Sequence, residues 1–403
     1  MTKKNFLLFL IYYCFGFFTY DFLSNLLNFN FIDEIIVMFW VIVFFFYILK
    51  NHFKVKITTS IFFAIIFLAL NYSLYISVNV PKAIFVDLIN LSKPFLIYVI
   101  IREQKVVFSL SQKMLIFKIS LFFIFVCCVI GLLGSKAIDL YFKHSSRYAT
   151  CVTISSLTLL YSKPKKSNPL FLFLFSLSFS LLSLRSKSYG LFAFVILFSV
   201  LYYPKIKNFG FKITYKLVLS FFIIVFIVLI VVYKKLNYYF VEGIQDGKNI
   251  FARPALYITS YRLMLDYFPC GSGFGSFASY ASEKYYSPIY HLYKIDKVFG
   301  LTQENGNFIC DTFFPQLIGQ FGIIGFILFM LFFFKVYQKN YKNYIIKKKG
   351  FYCLFVTIIS IIFIFIESFV DTTLVQNRGV LIMIIMALTT NELEFANKDI
   401  KRI

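Results

Sequence analysis

The hydrophobic positions of this chain fall into long runs that are separated by short polar stretches. Each run is close to the roughly 20 residues that a helix needs to cross ~30 Å of hydrocarbon. The runs predict about twelve membrane-spanning helices, with a range of eleven to thirteen because several runs are short or contain proline. Their approximate bounds are 5–20, 31–49, 58–78, 82–101, 115–133, 148–161, 170–184, 189–203, 217–233, 315–334, 351–367 and 379–390.

This pattern indicates an all-α, polytopic integral membrane protein in which residues 1–403 form a single transmembrane domain. The composition agrees, because 60% of the residues are hydrophobic and the mean hydropathy is +0.79, whereas soluble domains are nearer half apolar. The first run follows two lysines and resembles the apolar core of a signal peptide. No small-residue cleavage site follows that run, so we expect a retained helix.

One polar interruption is much longer than the others and lies between the ninth and tenth runs, at residues 234–314 (the insert). Loops of this length exceed what is needed to join two helices and usually carry function. The insert predicts a short helix at 254–268, with Pro254 in the first turn, where the missing N–H costs nothing. The "GSGFGS" stretch at 271–276 predicts a tight backbone turn, with an anion-binding nest of amides as the alternative.

Lysine is concentrated in alternate connections, such as "KNHFKVK", "REQKVVFSLSQK", "PKIKNFGFKITYK" and "KVYQKNYKNYIIKKK". Connections rich in lysine and arginine are typical of the cytoplasmic side of a membrane. The pattern therefore predicts that both termini are cytoplasmic and that the insert lies on the outer side. The net charge of +23 follows from this topology, and we expect no nucleic-acid partner.

Arginine is distributed differently from lysine. The chain has 34 lysines and seven arginines, and five of these arginines fall on the predicted outer side: Arg147, Arg185, Arg253, Arg262 and Arg378. Lysine satisfies the orientation rule as well as arginine does, so topology does not explain the difference. A guanidinium group binds phosphate oxygens two at a time, which an ammonium group cannot do. The pattern favours an outer site for a phosphate-bearing substrate, with chance or ordinary salt bridges as the alternative.

Four of the outer arginines are candidates for binding that phosphate. The stretches "HSSRYAT", "LRSKSYG" and "DTTLVQNRGV" place Arg147, Arg185 and Arg378 near the ends of predicted helices. In the insert, Arg262 precedes Asp266 by four residues, so an intrahelical ion pair is expected there. Arg253 lies nine residues before Arg262 and points to the other side of the helix, where it is expected to be available to a ligand.

Asp311 is the candidate general base, because it stands where the insert meets the tenth run. Partial burial there would raise its pKa, as a catalytic base requires; a helix-capping role is the alternative. Other outer candidates are His144, Glu242, Glu283, His291, Glu304, Glu367 and Asp371. The seven cysteines show no metal-binding spacing, and a disulfide between Cys270 and Cys310 remains an open alternative.

Two patterns between Arg253 and Phe326 recur in a known family. The first is an arginine followed by Tyr257, then Asp266, "FP" and a glycine-rich turn; the second is a polar residue eleven positions before Gly322 in "FGIIGF". The stretches "SSRYAT", "LRSKSYG" and "ESFVDTTLVQNRGV" fit the same family more loosely. In these features and in its topology the chain resembles the Wzy-type O-antigen polymerases, within the wider O-antigen ligase/polymerase superfamily.

The resemblance implies a membrane glycosyltransferase of the bacterial inner membrane that acts on undecaprenyl-diphosphate-linked oligosaccharides at the outer face. It implies that Arg147, Arg185, Arg253 and Arg378 bind the diphosphates and stabilise the leaving group, while Asp311 deprotonates the attacking hydroxyl. Neither a metal nor a nucleotide sugar is implied as a cofactor. Membrane lipids, a chain-length regulator and a flippase are the further candidate partners.

Two other functions stay open at this level. Ligases of the superfamily carry His followed by Asn where this chain has Asp311 followed by Thr312, which favours a polymerase. The nearest alternative is nevertheless a ligase that transfers finished glycan to a lipid core. The second alternative is a transporter or flippase for lipid-linked sugars, although transporters usually contain internal repeats and none is evident in this sequence.

Overall fold

A computed structural model describes residues 2–27, 31–164, 169–207 and 251–395, together with Tyr233, Asn237 and Tyr238. Within these ranges the chain is helical and contains no β-strand. The helices are α1 (Thr2–Ile11), α2 (Tyr20–Leu27), α3 (Ile32–Lys50), α4 (Ile57–Ile76), α5 (Pro81–Glu103), α6 (Leu110–Leu132), α7 (Ser135–Phe142), α8 (Ser145–Ser162), α9 (Pro169–Ser178), α10 (Ser186–Lys207), α11 (Ala252–Asp266), α12 (Tyr280–Lys284), α13 (Pro288–Leu292), α14 (Phe313–Lys347), α15 (Phe351–Val370) and α16 (Asn377–Phe395).

The prediction of an all-α polytopic membrane protein is confirmed. Helices α3, α4, α5, α6, α14 and α15 are long and apolar enough to cross a membrane. The helical segments Lys3–Phe18 and Tyr20–Leu27, which are bent by 67° relative to each other, form either a broken span or a re-entrant loop. Helices α9 and α10 are shorter and also apolar. Eleven of the twelve predicted runs coincide with helices, whereas the run at 217–233 lies outside the described residues apart from Tyr233. The total of twelve spans stays a prediction.

Helix α4 has the inverted pattern of a helix that faces lipid. Its buried residues are Thr59 and Ser73, whereas apolar side chains such as Phe67 and Leu68 are exposed. In lipid, packing between helices favours small and weakly polar residues, since apolar side chains gain nothing by leaving the hydrocarbon. Helix α4 therefore lies at the periphery of the bundle.

Helices α8 and α16 have the opposite environment and form the centre of the bundle. Nearly every residue of each helix is buried, and α16 packs against α5, α8, α14 and α15. The hydroxyls of Thr153, Ser156 and Thr158 donate to the carbonyl four residues earlier, so these polar groups are satisfied without a partner helix. Both helices begin at the same end of the bundle as the insert, where Ser146 of α8 contacts Asp371 just before α16.

The insert has a small hydrophobic core of its own, which includes Leu256, Leu263, Phe277, Tyr290 and Ile309. Its first helix, α11, is two residues out of step with the predicted helix at 254–268 and packs along α14. The buried face of α11 combines Leu256 and Leu263 with several small residues, whereas the large side chains of Tyr261 and Leu265 are exposed. The insert is thus a folded unit that is held against the membrane helices.

The "GSGFGS" stretch forms the predicted turn and attaches the insert to α5 and α14. The amides of Ser272 and Gly273 donate to the carbonyls of Gly319 and Gln320 at 3.0 and 2.8 Å, respectively. The amide of Gly275 donates to Asp87 of α5 at 2.8 Å. Since these amides have protein acceptors, the turn interpretation is favoured over the anion-binding nest.

Helix α14 is kinked at Gly322, which has φ +56° and ψ −153°. A Cβ at Gly322 would lie 2.4 Å from the carbonyl oxygen of Pro269, and one at Gly271 would lie 2.4 Å from the amide nitrogen of Gly322. Glycine is therefore required at both positions for the insert to approach α14. After the kink the helix continues to Lys347, so most of the predicted connection at 335–349 is helical instead.

A buried ionic triad joins α3 to α5. The ammonium group of Lys93 lies 2.6 Å from Asp33 and 2.7 Å from Glu34. The side chains of Lys93 and Asp33 are only 5% and 3% exposed, so water contributes little to their solvation. Charged groups in such a position require each other, because each would be costly to bury alone.

Candidate functional site

Five of the described helices begin close together at one end of the bundle, where α15 ends: α8, α10, α11, α14 and α16. The charged residues at this junction are Arg147, Arg185, Lys187, Arg253, Asp311, Glu367, Asp371 and Arg378, which we call the charge cluster. Helix N-termini carry partial positive charge, so their convergence adds to the potential of the cationic side chains. The junction is suited to an anion.

Arg185 and Arg378 are the two arginines of the charge cluster that donate hydrogen bonds to neutral groups. Nε of Arg185 donates to the Ser145 hydroxyl at 2.5 Å, and a terminal nitrogen lies 2.8 Å from Nε2 of His144. Arg378 is buried and donates to the Thr150 hydroxyl at 2.9 Å. Within the described part of the chain, neither guanidinium group has a carboxylate at ion-pair distance. Neither is therefore held in a direct ion pair that an anion would have to break, and Arg378 acts on Asp371 only at longer range.

Arg147 is held at the edge of the charge cluster. Its guanidinium group contacts Asp21 of α2 at 2.6 Å, and 36% of the Arg147 side chain is exposed. An anion at this position would compete with Asp21 for the arginine. Arg147 is therefore a weaker anion ligand than Arg185 or Arg378.

Arg253 is paired directly with Asp311, which differs from the expectation that it would be available. Nε of Arg253 donates to Asp311 at 2.5 Å, and a terminal nitrogen lies 3.5 Å from the carbonyl oxygen of Val370. The pair forms because Arg253 occupies the first turn of α11, and α11 packs along α14, which Asp311 precedes. The structure thus places the predicted phosphate ligand and the predicted base in contact.

The expected ion pair between Arg262 and Asp266 is replaced by another contact. Asp266 accepts a hydrogen bond of 2.5 Å from the Tyr293 hydroxyl, and Arg262 is exposed. Tyr293 follows α13 and reaches α11 from the side. The tertiary contact therefore takes precedence over the four-residue spacing.

Lys187 completes the charge cluster and was missed by the sequence reasoning. Its ammonium group lies 2.6 Å from Glu367 and 3.2 Å from Asp371. Asp371 also accepts a hydrogen bond of 3.1 Å from the Ser146 hydroxyl. The available signal was "LRSKSYG", in which Lys187 follows Arg185 by two residues, together with the four-residue spacing of Glu367 and Asp371 at the end of α15.

The two aspartates of the charge cluster differ in the direction of their pKa shifts. Burial raises the pKa of Asp311; Arg253 opposes this rise and Asp371 adds to it. Burial also acts to raise the pKa of Asp371, but Lys187 and Arg378 outweigh it and hold that pKa well below its usual range. A carboxylate with a raised pKa accepts a proton more readily at neutral pH, so Asp311 is better suited to act as a base.

Cys270 and Cys310 are free thiols and do not form a disulfide. The thiol of Cys310 instead donates to Glu283 at 3.1 Å. Among the residues with described positions, no group of three His, Cys, Asp or Glu side chains is arranged to hold a metal ion.

The fold and the charge cluster define a multi-pass helical membrane protein with a cationic site at the junction of its helices. Residues 170–330, which are 161 of the 403 residues, match the family model described as O-antigen ligase. This segment contains Arg185, Arg253 and Asp311, whereas Arg147 and Arg378 lie outside it. The match supports a membrane enzyme of the O-antigen ligase/polymerase superfamily. No curated protein and no solved structure shows a significant match to the chain.

Proposed function

We propose that this protein is a polysaccharide polymerase for O-antigen or capsule repeat units. It transfers the growing glycan from undecaprenyl diphosphate to a new lipid-linked repeat unit on the outer face of a bacterial inner membrane, with both termini cytoplasmic. The observation that carries the proposal is the charge cluster. There, Arg185 and Arg378 have neutral partners and lie in the same junction as Asp311, whose pKa is raised.

The diphosphate of the donor binds to Arg185 and Arg378, with Arg147 and Arg253 at the margins of the same site. Guanidinium groups suit this ligand because each can donate two parallel hydrogen bonds to phosphate oxygens. Negative charge builds up on the bridging oxygen as its bond to the anomeric carbon breaks. Fixed cations at that point stabilise the departing diphosphate more than the bound donor, which is the condition for catalysis.

Asp311 accepts the proton of the attacking sugar hydroxyl. The hydroxyl oxygen forms a bond to the anomeric carbon, the bond between that carbon and the diphosphate oxygen breaks, and the proton passes to the carboxylate. Arg253 regulates this step, because it is the group that most strongly opposes the rise in the pKa of Asp311. A diphosphate that draws Arg253 away from Asp311 therefore makes the carboxylate a stronger base when the donor is bound.

A ligase is the second candidate function, because the matching family model is described as O-antigen ligase. The two functions share the diphosphate donor and differ in the acceptor, which is a lipid-linked repeat unit for a polymerase and a lipid core for a ligase. The geometry of the charge cluster concerns the donor, so it supports both.

Deletion of the gene, followed by analysis of the surface glycan and its lipid carrier, tests the proposal. Loss of a polymerase leaves a single-repeat product, whereas loss of a ligase leaves finished polymer on the lipid carrier.

A transport function is tested by incubating purified protein with lipid-linked repeats in detergent without an energy source. Elongation under these conditions supports the polymerase, and unchanged substrate contradicts it.

A further inference from the structure

An open groove lies between the connection from α4 to α5 and the insert. Its volume is about 790 Å³, and it lies between residues 77–81 on one side and a wall of the insert that includes Glu283, Lys284, Tyr285, Tyr286 and Gln303 on the other. This volume falls within the roughly 300–1,000 Å³ of typical small-molecule sites. None of the residues that line this polar groove belongs to the charge cluster.

The chemistry of the polar groove fits a neutral ligand rich in hydroxyl groups. Glu283 and Lys284 are the charged residues of its lining, and their charges are opposite, so the groove offers no excess cation to a phosphate. Gln303 and Glu283 add hydrogen-bond acceptors, and Gln303 and Lys284 add donors. Tyr285 and Tyr286 present aromatic rings, which pack against apolar C–H faces while keeping a polar hydroxyl. A carbohydrate has this combination of C–H faces and hydroxyl groups.

The walls of the polar groove are fixed by hydrogen bonds within the protein. The Tyr286 hydroxyl donates to the carbonyl of Leu301 at 2.8 Å, and the side-chain amide of Asn79 donates to the carbonyl of Gly275 at 2.7 Å. The helix that carries Glu283 and Lys284 starts with a capping box at Ser279. A site held in this way loses little conformational entropy when a ligand binds.

The polar groove is joined to the charge cluster through one residue. Glu283 in the groove wall accepts a hydrogen bond of 3.1 Å from the thiol of Cys310, which directly precedes Asp311. The carbonyl of Cys310 accepts a hydrogen bond of 3.0 Å from Thr372, next to Asp371. Cys310 therefore links a residue of the groove wall to the charge cluster, so the two features are neighbours in the fold.

We propose that the polar groove is a glycan-binding subsite that holds sugar residues of the substrate while its diphosphate occupies the charge cluster. The inference rests on the proposed function for the identity of the substrate. The recognition itself requires only the sugar chain, so it is measurable without lipid, diphosphate or turnover.

The test uses the full-length protein purified in detergent and an oligosaccharide released by mild acid from the surface polysaccharide of the source strain. Saturation-transfer NMR measures binding to the wild type, to Tyr285→Ala and to Gln303→Ala. We expect the dissociation constant to rise about tenfold in each variant, which corresponds to roughly 1.4 kcal/mol. The matched control is Tyr75→Ala, because Tyr75 is 89% exposed and lies outside the groove lining.

Wild-type affinity in both variants, or no binding of the oligosaccharide to the wild type, would overturn the subsite. Gln303 is exposed, so Gln303→Ala carries the test even if Tyr285→Ala does not fold. Asp311→Asn separates this proposal from the proposed function. This variant should bind the oligosaccharide with wild-type affinity and transfer glycan much more slowly. If it transfers glycan at the normal rate, the proposed catalytic role of Asp311 fails. The affinities of the groove variants still decide whether the polar groove binds glycan.

Discussion

The contact between Arg253 and Asp311 couples the two halves of the proposed chemistry at the level of single atoms. One partner is the proposed phosphate ligand and the other is the proposed base, and Nε of Arg253 lies 2.5 Å from the carboxylate of Asp311. In the proposed mechanism, each partner limits the role of the other until the diphosphate of the donor separates them. Substitutions at these two positions should therefore have different and diagnostic effects.

Asp311→Asn removes the proposed base while keeping the size and polarity of the side chain. We expect the rate of glycan transfer to fall by about 10² or more, as is typical when a general base is lost. The measurement is elongation of lipid-linked repeats by purified protein. The control is Asp296→Asn. The carboxylate of Asp296 lies 2.8 Å from Nδ1 of His291 and is not part of the charge cluster. Equal activity of Asp311→Asn and the wild type would remove Asp311 from the mechanism.

The dependence of kcat/KM on pH should report the same carboxylate. The base works when deprotonated, so activity is lost as the pH falls through its pKa, and burial places that pKa above the ordinary value of an aspartate. Arg253 lowers the pKa, so Arg253→Gln should move the acid limb of the profile to higher pH. A limb that stays in place, or that moves to lower pH, would show that another group titrates.

Arg185→Lys and Arg378→Lys keep the charge but lose the planar fork of donors. We expect KM for the lipid diphosphate to rise about tenfold in each, since a hydrogen bond to a charged group contributes roughly 1.5–3 kcal/mol. Arg262→Lys is the control, because Arg262 is exposed and makes no contact with the charge cluster. A KM that is unchanged in both cluster variants would argue against diphosphate binding there.

Residue types predicted more of the site than residue spacing did. Because arginine was favoured as a phosphate ligand, the sequence singled out the four arginines that the structure brings to one junction. The same criterion left out Lys187, whose acidic neighbours lie on α15 or just after it, far from α10 in the sequence. The four-residue rule failed for Arg262 and Asp266 because it considers a helix alone, whereas Tyr293 approaches from another element. Partners that come from distant parts of the chain were beyond the reach of such rules.

At the scale of elements, the kink in α14 allows the insert to contact the membrane helices. The amides after Gly271 reach the carbonyls of Gly319 and Gln320 because the two backbones approach without side chains between them. The kink also sets the direction of the first segment of α14, which follows Asp311 directly. The position of the proposed base thus depends on a backbone feature eleven residues away.

Gly322→Ala should therefore destabilise the protein and reduce transfer. The backbone angles of Gly322 lie in a region that glycine alone adopts readily, so a residue with Cβ there costs roughly 1–3 kcal/mol, and the clash with the carbonyl of Pro269 adds to this. The midpoint of thermal unfolding in detergent measures the effect. Gly134→Ala is a matched control, since Gly134 also has a positive φ of 94° but has open space around it. Equal shifts in the two variants would show that the close approach contributes nothing.

Hydrophobic runs located the helices well but did not reveal their surroundings. A run of apolar residues reads alike whether it faces lipid, as in α4, or protein, as in α8 and α16, because both environments exclude water. The same limit applies to α11, which has large apolar side chains both on its buried face, at Leu256 and Leu263, and on its exposed face, at Leu265. The periodicity of apolar residues shows that two faces of a helix differ. It does not show which of the two faces packs against protein.

At the scale of the whole molecule, the proposed function requires the charge cluster and the polar groove to lie on the outer side. Gln303→Cys, introduced into a cysteine-free background, should react with a membrane-impermeant maleimide in intact cells. Lys342→Cys, in the second half of α14, should react only after the cells are permeabilised. Labelling in the reverse pattern would place the site in the cytoplasm, where donors on the outer leaflet have no access to it.

The ionic triad of Lys93, Asp33 and Glu34 has a consequence for how the protein is made. Helix α5 contains Asp87 as well as Lys93, and a charged residue near the middle of a nascent helix opposes its transfer from the translocon into lipid by about 2.5–3.5 kcal/mol. Helix α3, which carries the two carboxylates, leaves the ribosome first. Helix α5 is therefore expected to enter the bilayer stably only when Lys93 can pair with the carboxylates of α3. Membrane insertion during biosynthesis would then depend on two helices that are not consecutive in the sequence.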